Sequence, residues 1–155
     1  MSKIAKAFNN NSEIDAVFGD IAFVNENGKQ TRYYSSAKWN PGKFVWGFMP
    51  AHPTFYCKKE IFKKLGGYRT DFDIAADYEL LIRFLKVNAI NYLYLPMLMV
   101  KMNLGGKSTS GFKSTKKINQ EIIKACKLNG LYTNFIMLYS KYFFKVFEYC
   151  KIPYQ

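Results

Sequence analysis

One acidic residue whose type and position could serve proton transfer is Asp77. It lies in the run Ala76-Asp-Tyr-Glu79, and the apolar residues that follow recur at helical spacing, so we expect Asp77 near a helix N-terminus. The helix dipole there favours the charged carboxylate, which can act as a general base or can simply cap the helix. Glu79 projects from another side of such a helix, and its spacing of four residues from Arg83 predicts an ion pair.

His52 is the single histidine of the chain, and prolines flank it in the run Pro50-Ala-His-Pro-Thr54. Because proline restricts the backbone, the direction of the imidazole is fixed, which suits contact with an acceptor or a phosphate and equally suits a buried structural histidine. The aromatic residues Trp39, Phe44 and Trp46 precede this run. They offer a flat apolar surface for a sugar ring or a lipid carrier, or they belong to the core.

The cysteines do not suggest a metal site or a disulfide scaffold. Cys57, Cys126 and Cys150 are widely spaced, with no Cys-x-x-Cys pair and one histidine to assist them. The N-terminal residues lack the pattern of a signal peptide, and free thiols suit a reducing compartment, so we expect a cytoplasmic protein. The longest apolar stretches fall short of the roughly 20 residues that span a bilayer.

The residue pattern predicts an α/β fold with a mixed β-sheet, a β-hairpin and flanking helices, followed by two C-terminal helices. An Asn-Glu-Asn-Gly turn at 25–28 marks the hairpin, Gly66 ends a helix, and Pro96 separates two strands. The predicted elements are a helix over 2–9, the hairpin over 16–35, an ordered loop over 39–53, a short buried strand over 54–57, helices over 58–65 and from 76, strands over 91–95 and 97–102, and helices over 115–128 and 131–149.

The chain carries a formal net charge of +12, which favours anionic partners, and 49% hydrophobic residues, which excludes a disordered chain. The charge is uneven: residues 1–100 hold 13 basic and 9 acidic side chains, whereas residues 101–155 hold 10 lysines and two glutamates. The last third therefore needs an explanation of its own.

Several motifs occur in an order that resembles one enzyme family. They are the runs Met49–Tyr56, Lys63–Tyr68 and Asp71–Arg83, preceded by Val17–Ile21 and followed by Leu95–Ser108. Over residues 1–128 this pattern resembles the second, acceptor-side half of family 2 glycosyltransferases with the GT-A fold. The resemblance implies a partial GT-A-like fold over residues 1–112 and a separate C-terminal tail over 113–155.

The resemblance implies an inverting transfer of a sugar from a nucleotide-sugar to an acceptor hydroxyl, of the kind used in cell-surface polysaccharide synthesis. It assigns the general base to Asp77. It places Asp71 and Asp73 in a solvated acceptor-side loop, because the metal-binding Asp-x-Asp of the family lies further upstream. The residues expected to contact the acceptor or substrate are His52, Pro53, Thr54, Trp46, Asp73, Glu79, Lys107 and Ser108.

The same resemblance implies that the nucleotide-binding half, with its divalent Mg or Mn ion, has no counterpart in these residues. We therefore expect no cofactor in this chain, and no transferase activity from it alone. The expected partners are a nucleotide-sugar, a sugar or lipid-linked acceptor, and either the missing half or a second copy of the chain.

The basic, aromatic tail is not explained by catalysis. A helix with lysines and rings around it can lie on the cytoplasmic face of the inner membrane, which would make the protein peripheral, or it can pack on the body or on another copy. The alternative function is accordingly a non-catalytic module that binds a membrane or a protein through this tail. Nucleic acid is the weakest candidate partner, because no recognition motif accompanies the lysines.

Overall fold

A computed structural model describes residues 2–103 and 111–140 of the chain, and for residues 111–114 it describes the backbone alone. Within these residues, helices and strands form the framework, joined by short 3₁₀ and π-helical turns. In chain order these are α1 (Lys3–Asn10), β1 (Ala16–Val24), β2 (Gln30–Tyr34), 3₁₀ turns at Pro41–Trp46 and His52–Thr54, β3 (Tyr56–Cys57), α2 (Lys59–Leu65), α3 (Ala76–Ile82), a π-helical turn at Arg83–Val87, β4 (Tyr92–Asn103) and α4 (Gly111–Leu128).

Strand β1 is the centre of a four-stranded mixed sheet. Along one edge it pairs antiparallel with β3, where Ala16 faces Cys57, and with β2, where Ile21 faces Tyr34. Along the other edge it pairs parallel with β4 over its whole length. Eight of the nine β1 residues are buried, as expected for a strand enclosed on both edges and both faces. The α/β class, the mixed sheet and the hairpin are confirmed.

The prediction of two strands separated by Pro96 is wrong, because β4 is one strand of 12 residues. Its register with β1 slips at the proline: Phe18 faces Tyr94 and Asp20 faces Leu98, so two steps on β1 correspond to four on β4. The extra residues on β4 form a bulge. Pro96, which has no N–H, costs little stability there because the bulge already interrupts the hydrogen bonds between the strands.

Strand β3 is shorter and more exposed than the predicted buried strand over 54–57. It contains two residues, of which Tyr56 is 46% exposed, while Thr54 lies in the preceding 3₁₀ turn and is buried. Helix α2 ends at Gly66 as predicted. Gly66 has φ +83° and ψ 162°, so it needs the freedom of glycine, but it does not adopt the left-handed helical conformation that is common at helix ends.

The core forms where α3, its π-helical turn and α4 pack against the sheet. Helix α4 contributes Ile122, Ala125 and Cys126 to the cluster that contains Phe18 of β1. The predicted division between residues 112 and 113 falls in the first turn of α4. Four aromatic rings in this core pack edge to face. They belong to Phe18, Trp39, Phe44 and Tyr78. Of the three aromatic residues considered for a sugar surface, Trp39 and Phe44 are therefore core residues.

The second predicted C-terminal helix begins later than expected. Residues 131–134 are not helical, residues 135–140 are, and the rest of that prediction lies outside the described residues. Across 2–103 and 111–140, no helix combines the length and the apolar character needed to cross a membrane.

Candidate active site

Two residues from distant parts of the sequence meet to form the candidate active site. The Nδ1 atom of His52 lies 3.1 Å from the Oδ2 atom of Asp77, and the side chains are 43% and 21% exposed. The other oxygen, Oδ1, accepts a hydrogen bond of 2.7 Å from the backbone N–H of Tyr78. The N-cap of α3 is Ala75, so Asp77 lies within the first turn and does not cap the helix. A solvent-accessible carboxylate oriented by an imidazole can accept a proton from a bound hydroxyl.

The backbone around His52 is fixed to the centre of β1. The Thr54 hydroxyl accepts from the N–H of Gly19 at 3.0 Å and donates to the carbonyl of Ala51 at 2.6 Å. The Ser36 hydroxyl accepts from the N–H of Ala51 at 3.1 Å and donates to the carbonyl of Gly19 at 3.0 Å. Because all of these hydrogen bonds are internal and Thr54 is fully buried, we assign Thr54 to the support of the site.

Gly19 is required at this junction for steric reasons. A Cβ atom at this position would lie 2.4 Å from the sulfur of Met99 and 2.9 Å from the carbonyl oxygen of Met97, both on β4. The absent side chain lets β4 approach β1 closely at this point.

A buried carboxylate beside this junction ties three segments together. Asp20 is 4% exposed and accepts from the hydroxyl of Tyr33 at 2.6 Å, the hydroxyl of Tyr94 at 2.9 Å and the backbone N–H of Ser36 at 2.9 Å. Burial raises the pKa of the Tyr33 phenol, and the hydrogen bond to Asp20 raises that pKa further. Burial and Asp20 also raise the pKa of Tyr94. Both phenols therefore remain donors, and Asp20 joins β2 and β4 to the segment that anchors His52.

The loop that precedes Asp77 is held by a residue that the sequence did not reveal. The Glu121 carboxylate, on α4, accepts from the backbone N–H groups of Asp73, Ile74 and Ala75 at 3.1, 2.9 and 2.8 Å. Burial alone would raise the pKa of Glu121, but these hydrogen bonds outweigh that effect and the pKa is lowered. Glu121 thus caps the approach to α3 from another helix and fixes the position of Asp77.

The Glu121→Gln substitution should lower the free energy of unfolding by about 1–2 kcal/mol at pH 7, because an amide accepts more weakly and its NH₂ group would face donors. The lowered pKa means that the carboxylate stabilises the fold fully above its ordinary value of 4.5 and progressively less as the pH falls below it. Urea unfolding of both proteins should therefore show a difference in the free energy of unfolding at pH 7, and this difference should become smaller as the pH falls below 4.5.

The control for this measurement is Glu60→Gln, which changes an exposed glutamate in the first turn of α2. We expect it to alter stability by no more than about 0.5 kcal/mol. Equal stability of Glu121→Gln and the wild type at pH 7 would contradict the capping role.

Glu79 lies in the interior, away from solvent. It is 2% exposed, and its carboxylate pairs with Arg83 at 3.1 and 3.0 Å, which confirms the predicted ion pair. The Asn129 amide also donates to it, at 3.3 Å. The Arg83 guanidinium in turn donates to the carbonyls of Leu65, Gly66 and Gly67. Glu79 therefore connects the end of α2 to α3 rather than facing a substrate.

The Asp-x-Asp pair lies in an exposed loop, and both carboxylates have cationic partners. Asp71 accepts from Arg69 at 2.9 Å and lies 2.8 Å from the Lys124 ammonium, while Asp73 pairs with Lys117. These hydrogen bonds hold the pKa of each aspartate below its usual range. In the part of the chain that the structure describes, no group of three or more His, Cys, Asp or Glu side chains is arranged to hold a metal ion. The pair is better suited to bind α4 than a divalent metal.

Four further residues were predicted to contact the acceptor or substrate. Pro53 lies in the same 3₁₀ turn as His52, and Trp46 is 45% exposed at the end of the preceding 3₁₀ turn. Lys107 and Ser108 lie outside the described residues. The structure thus brings together His52, Pro53 and Asp77, supported by Thr54 and by the unpredicted Ser36, Asp20 and Glu121.

Comparison of the chain with protein-family models, with curated proteins and with solved structures found no match. The site is accordingly characterised by its geometry as a carboxylate–imidazole pair on a mixed α/β sheet.

Proposed function

We propose that this chain provides the acceptor side of an inverting glycosyltransferase, with Asp77 as the general base. The observation that carries the proposal is the contact of 3.1 Å between His52 and Asp77, which are 25 residues apart and both accessible to solvent. The order of sequence motifs that resembles family 2 glycosyltransferases supports the same assignment for Asp77.

The geometry suits a direct displacement at a sugar carbon. As the acceptor oxygen forms its bond to the anomeric carbon, its proton passes to the Asp77 carboxylate. The bond between that carbon and the diphosphate oxygen breaks, and the electron pair leaves with the nucleoside diphosphate. His52, with its Nδ1 atom 3.1 Å from Oδ2, holds the carboxylate in one orientation while the acceptor approaches.

Binding of the nucleotide-sugar requires further residues in this proposal. Among the described residues no group of three or more His, Cys, Asp or Glu side chains is arranged to hold a metal ion, and the carboxylates of Asp71 and Asp73 are already paired with cations. We assign donor binding, and any metal that serves it, to a nucleotide-binding unit that acts together with this chain. The reaction class is transfer in cell-surface polysaccharide synthesis, and the chain alone is inactive.

The acceptor side can be tested without a donor, because His52 is the single histidine and its ring gives one set of NMR signals. Titration with saccharides representative of cell-surface polysaccharides should shift the His52 ring signals in a saturable way, whereas glycerol at matched concentration should not. If no saccharide in a broad panel moves these signals, the proposed acceptor site is wrong.

A further inference from the structure

Exposed apolar side chains are concentrated at the end of α4 and in the segment that follows it. Five large hydrophobic side chains within 12 residues are 43–83% exposed. We call them the C-terminal patch, and they are Leu128, Tyr132, Phe135, Ile136 and Tyr139. A cluster of this kind on a folded surface usually marks an interaction site.

The segment that carries the patch is fixed to the body of the protein. The Thr133 hydroxyl donates to the carbonyl of Val45 at 2.5 Å, and Leu138 is fully buried. In the helical residues 135–140, the spacing of Phe135, Ile136 and Tyr139 puts all three on one face. The rings of Phe135 and Tyr139 lie 6.4 Å apart, so this face is continuous. The anchoring residues thus hold the patch outward.

Positive charge outweighs negative charge in the part of the chain that carries the patch. Residues 101–155 contain 10 lysines and two glutamates. One of the two, Glu121, accepts hydrogen bonds from three backbone N–H groups. Lys127 is exposed next to the patch, whereas Lys117 and Lys124 are paired with aspartates. In the sequence, Lys141, Lys145 and Lys151 follow, with Glu148 among them.

We propose that the C-terminal patch docks on the surface of a lipid bilayer that contains anionic lipids. Aromatic and aliphatic side chains enter the boundary between headgroups and acyl chains, and lysines from the same part of the sequence bind the headgroups. A second copy of the chain is a poorer occupant, because two molecules that each carry a net charge of +12 repel one another. This docking does not depend on glycosyl transfer.

The test is flotation of the full chain with vesicles of phosphatidylcholine alone and of phosphatidylcholine mixed with phosphatidylglycerol. We expect binding to the mixed vesicles, weaker binding to the neutral ones, and loss of binding as salt is raised. Ile136→Glu should weaken binding to the mixed vesicles about tenfold or more, because it removes an apolar side chain and adds a repelled charge. Since Ile136 is 83% exposed, this variant should fold normally, which circular dichroism can verify.

The matched control is Val87→Glu, which makes the same change of charge at a residue that is 53% exposed in the π-helical turn. It should bind vesicles as the wild type does. Equal flotation of Ile136→Glu and the wild type would overturn the proposal. Ultracentrifugation that shows a dimer lost in Ile136→Glu, with no vesicle binding by the wild type, would assign the patch to a second copy instead.

Discussion

Asp77→Asn should reduce sugar transfer by about 10²–10⁴-fold when residues 1–155 act together with a nucleotide-binding half, because asparagine cannot accept the acceptor proton. The asparagine side chain is nearly isosteric with aspartate and can still accept the hydrogen bond from the backbone N–H of Tyr78, so the fold of α3 should persist. The measurement is release of nucleoside diphosphate that depends on added acceptor. The loss should appear in kcat with little change in KM for the acceptor, since the base acts in the transition state.

The control for Asp77→Asn is Asp71→Asn, which removes a carboxylate from the loop that precedes α3. Asp71 is exposed and paired with Arg69 and Lys124, so we expect activity within a few-fold of the wild type. Transfer by Asp77→Asn at the wild-type rate would show that another group takes the proton.

The tautomer of the imidazole provides a readout that does not depend on activity. In the neutral ring of His52, the contact with Asp77 favours the proton on Nδ1, which long-range proton–nitrogen NMR detects. Asp77→Ala should shift the population toward the proton on Nε2. An unchanged tautomer would mean that the pair does not form in solution.

Asp20→Ala should be the most destabilising single substitution proposed for this protein, lowering the free energy of unfolding by about 3 kcal/mol. It removes the common acceptor of Tyr33, Tyr94 and the Ser36 N–H, and it leaves a cavity at a residue that is 4% exposed. Urea unfolding at pH 7 measures the difference. The control is Glu26→Ala, at an exposed residue in the turn between β1 and β2. Its free energy of unfolding should stay within about 0.5 kcal/mol of the wild type.

The pH dependence of the free energy of unfolding distinguishes the loss of the Asp20 hydrogen bonds from a simple loss of packing. The folded state raises the pKa of Tyr33 and Tyr94, so their contribution to stability is complete below their ordinary value of 10.0 and declines as the pH rises above it. Part of that increase in pKa comes from Asp20, so the wild type should lose stability above pH 10 more steeply than Asp20→Ala. The two proteins diverge only once the pH exceeds the phenol pKa values of Asp20→Ala, so a difference that stays constant from pH 7 to pH 12 would indicate packing alone.

Local signals in the sequence predicted the elements whose structure depends on neighbours in the chain. The turn at 25–28 joins two β-rich runs, and the hairpin of β1 and β2 follows from it. The parallel pairing of β1 with β4 was not predicted, because it joins residues far apart in the chain. Pro96 was misinterpreted for the same reason: whether a missing N–H ends a strand depends on the register of its partner.

The site shows the same division between residue type and arrangement. Asp77 and His52 could be selected from the sequence by their chemistry and flanking residues, but their contact depends on where the 3₁₀ turn at His52–Thr54 meets α3. Glu121 gave no signal, because a glutamate on an amphipathic helix usually faces solvent. Its role became apparent only when α4 was seen to place it against three N–H groups at the start of α3.

The central position of β1 also affects how the protein is made. Ala16 pairs with Tyr92, 76 residues later, so at about 5–20 residues per second the ribosome needs roughly 4 to 15 s to synthesise the chain between them. During that interval the most apolar strand of the sheet is present with one edge unpaired, a state prone to aggregation. The nascent chain is therefore most in need of a chaperone after the hairpin emerges and before β4 does.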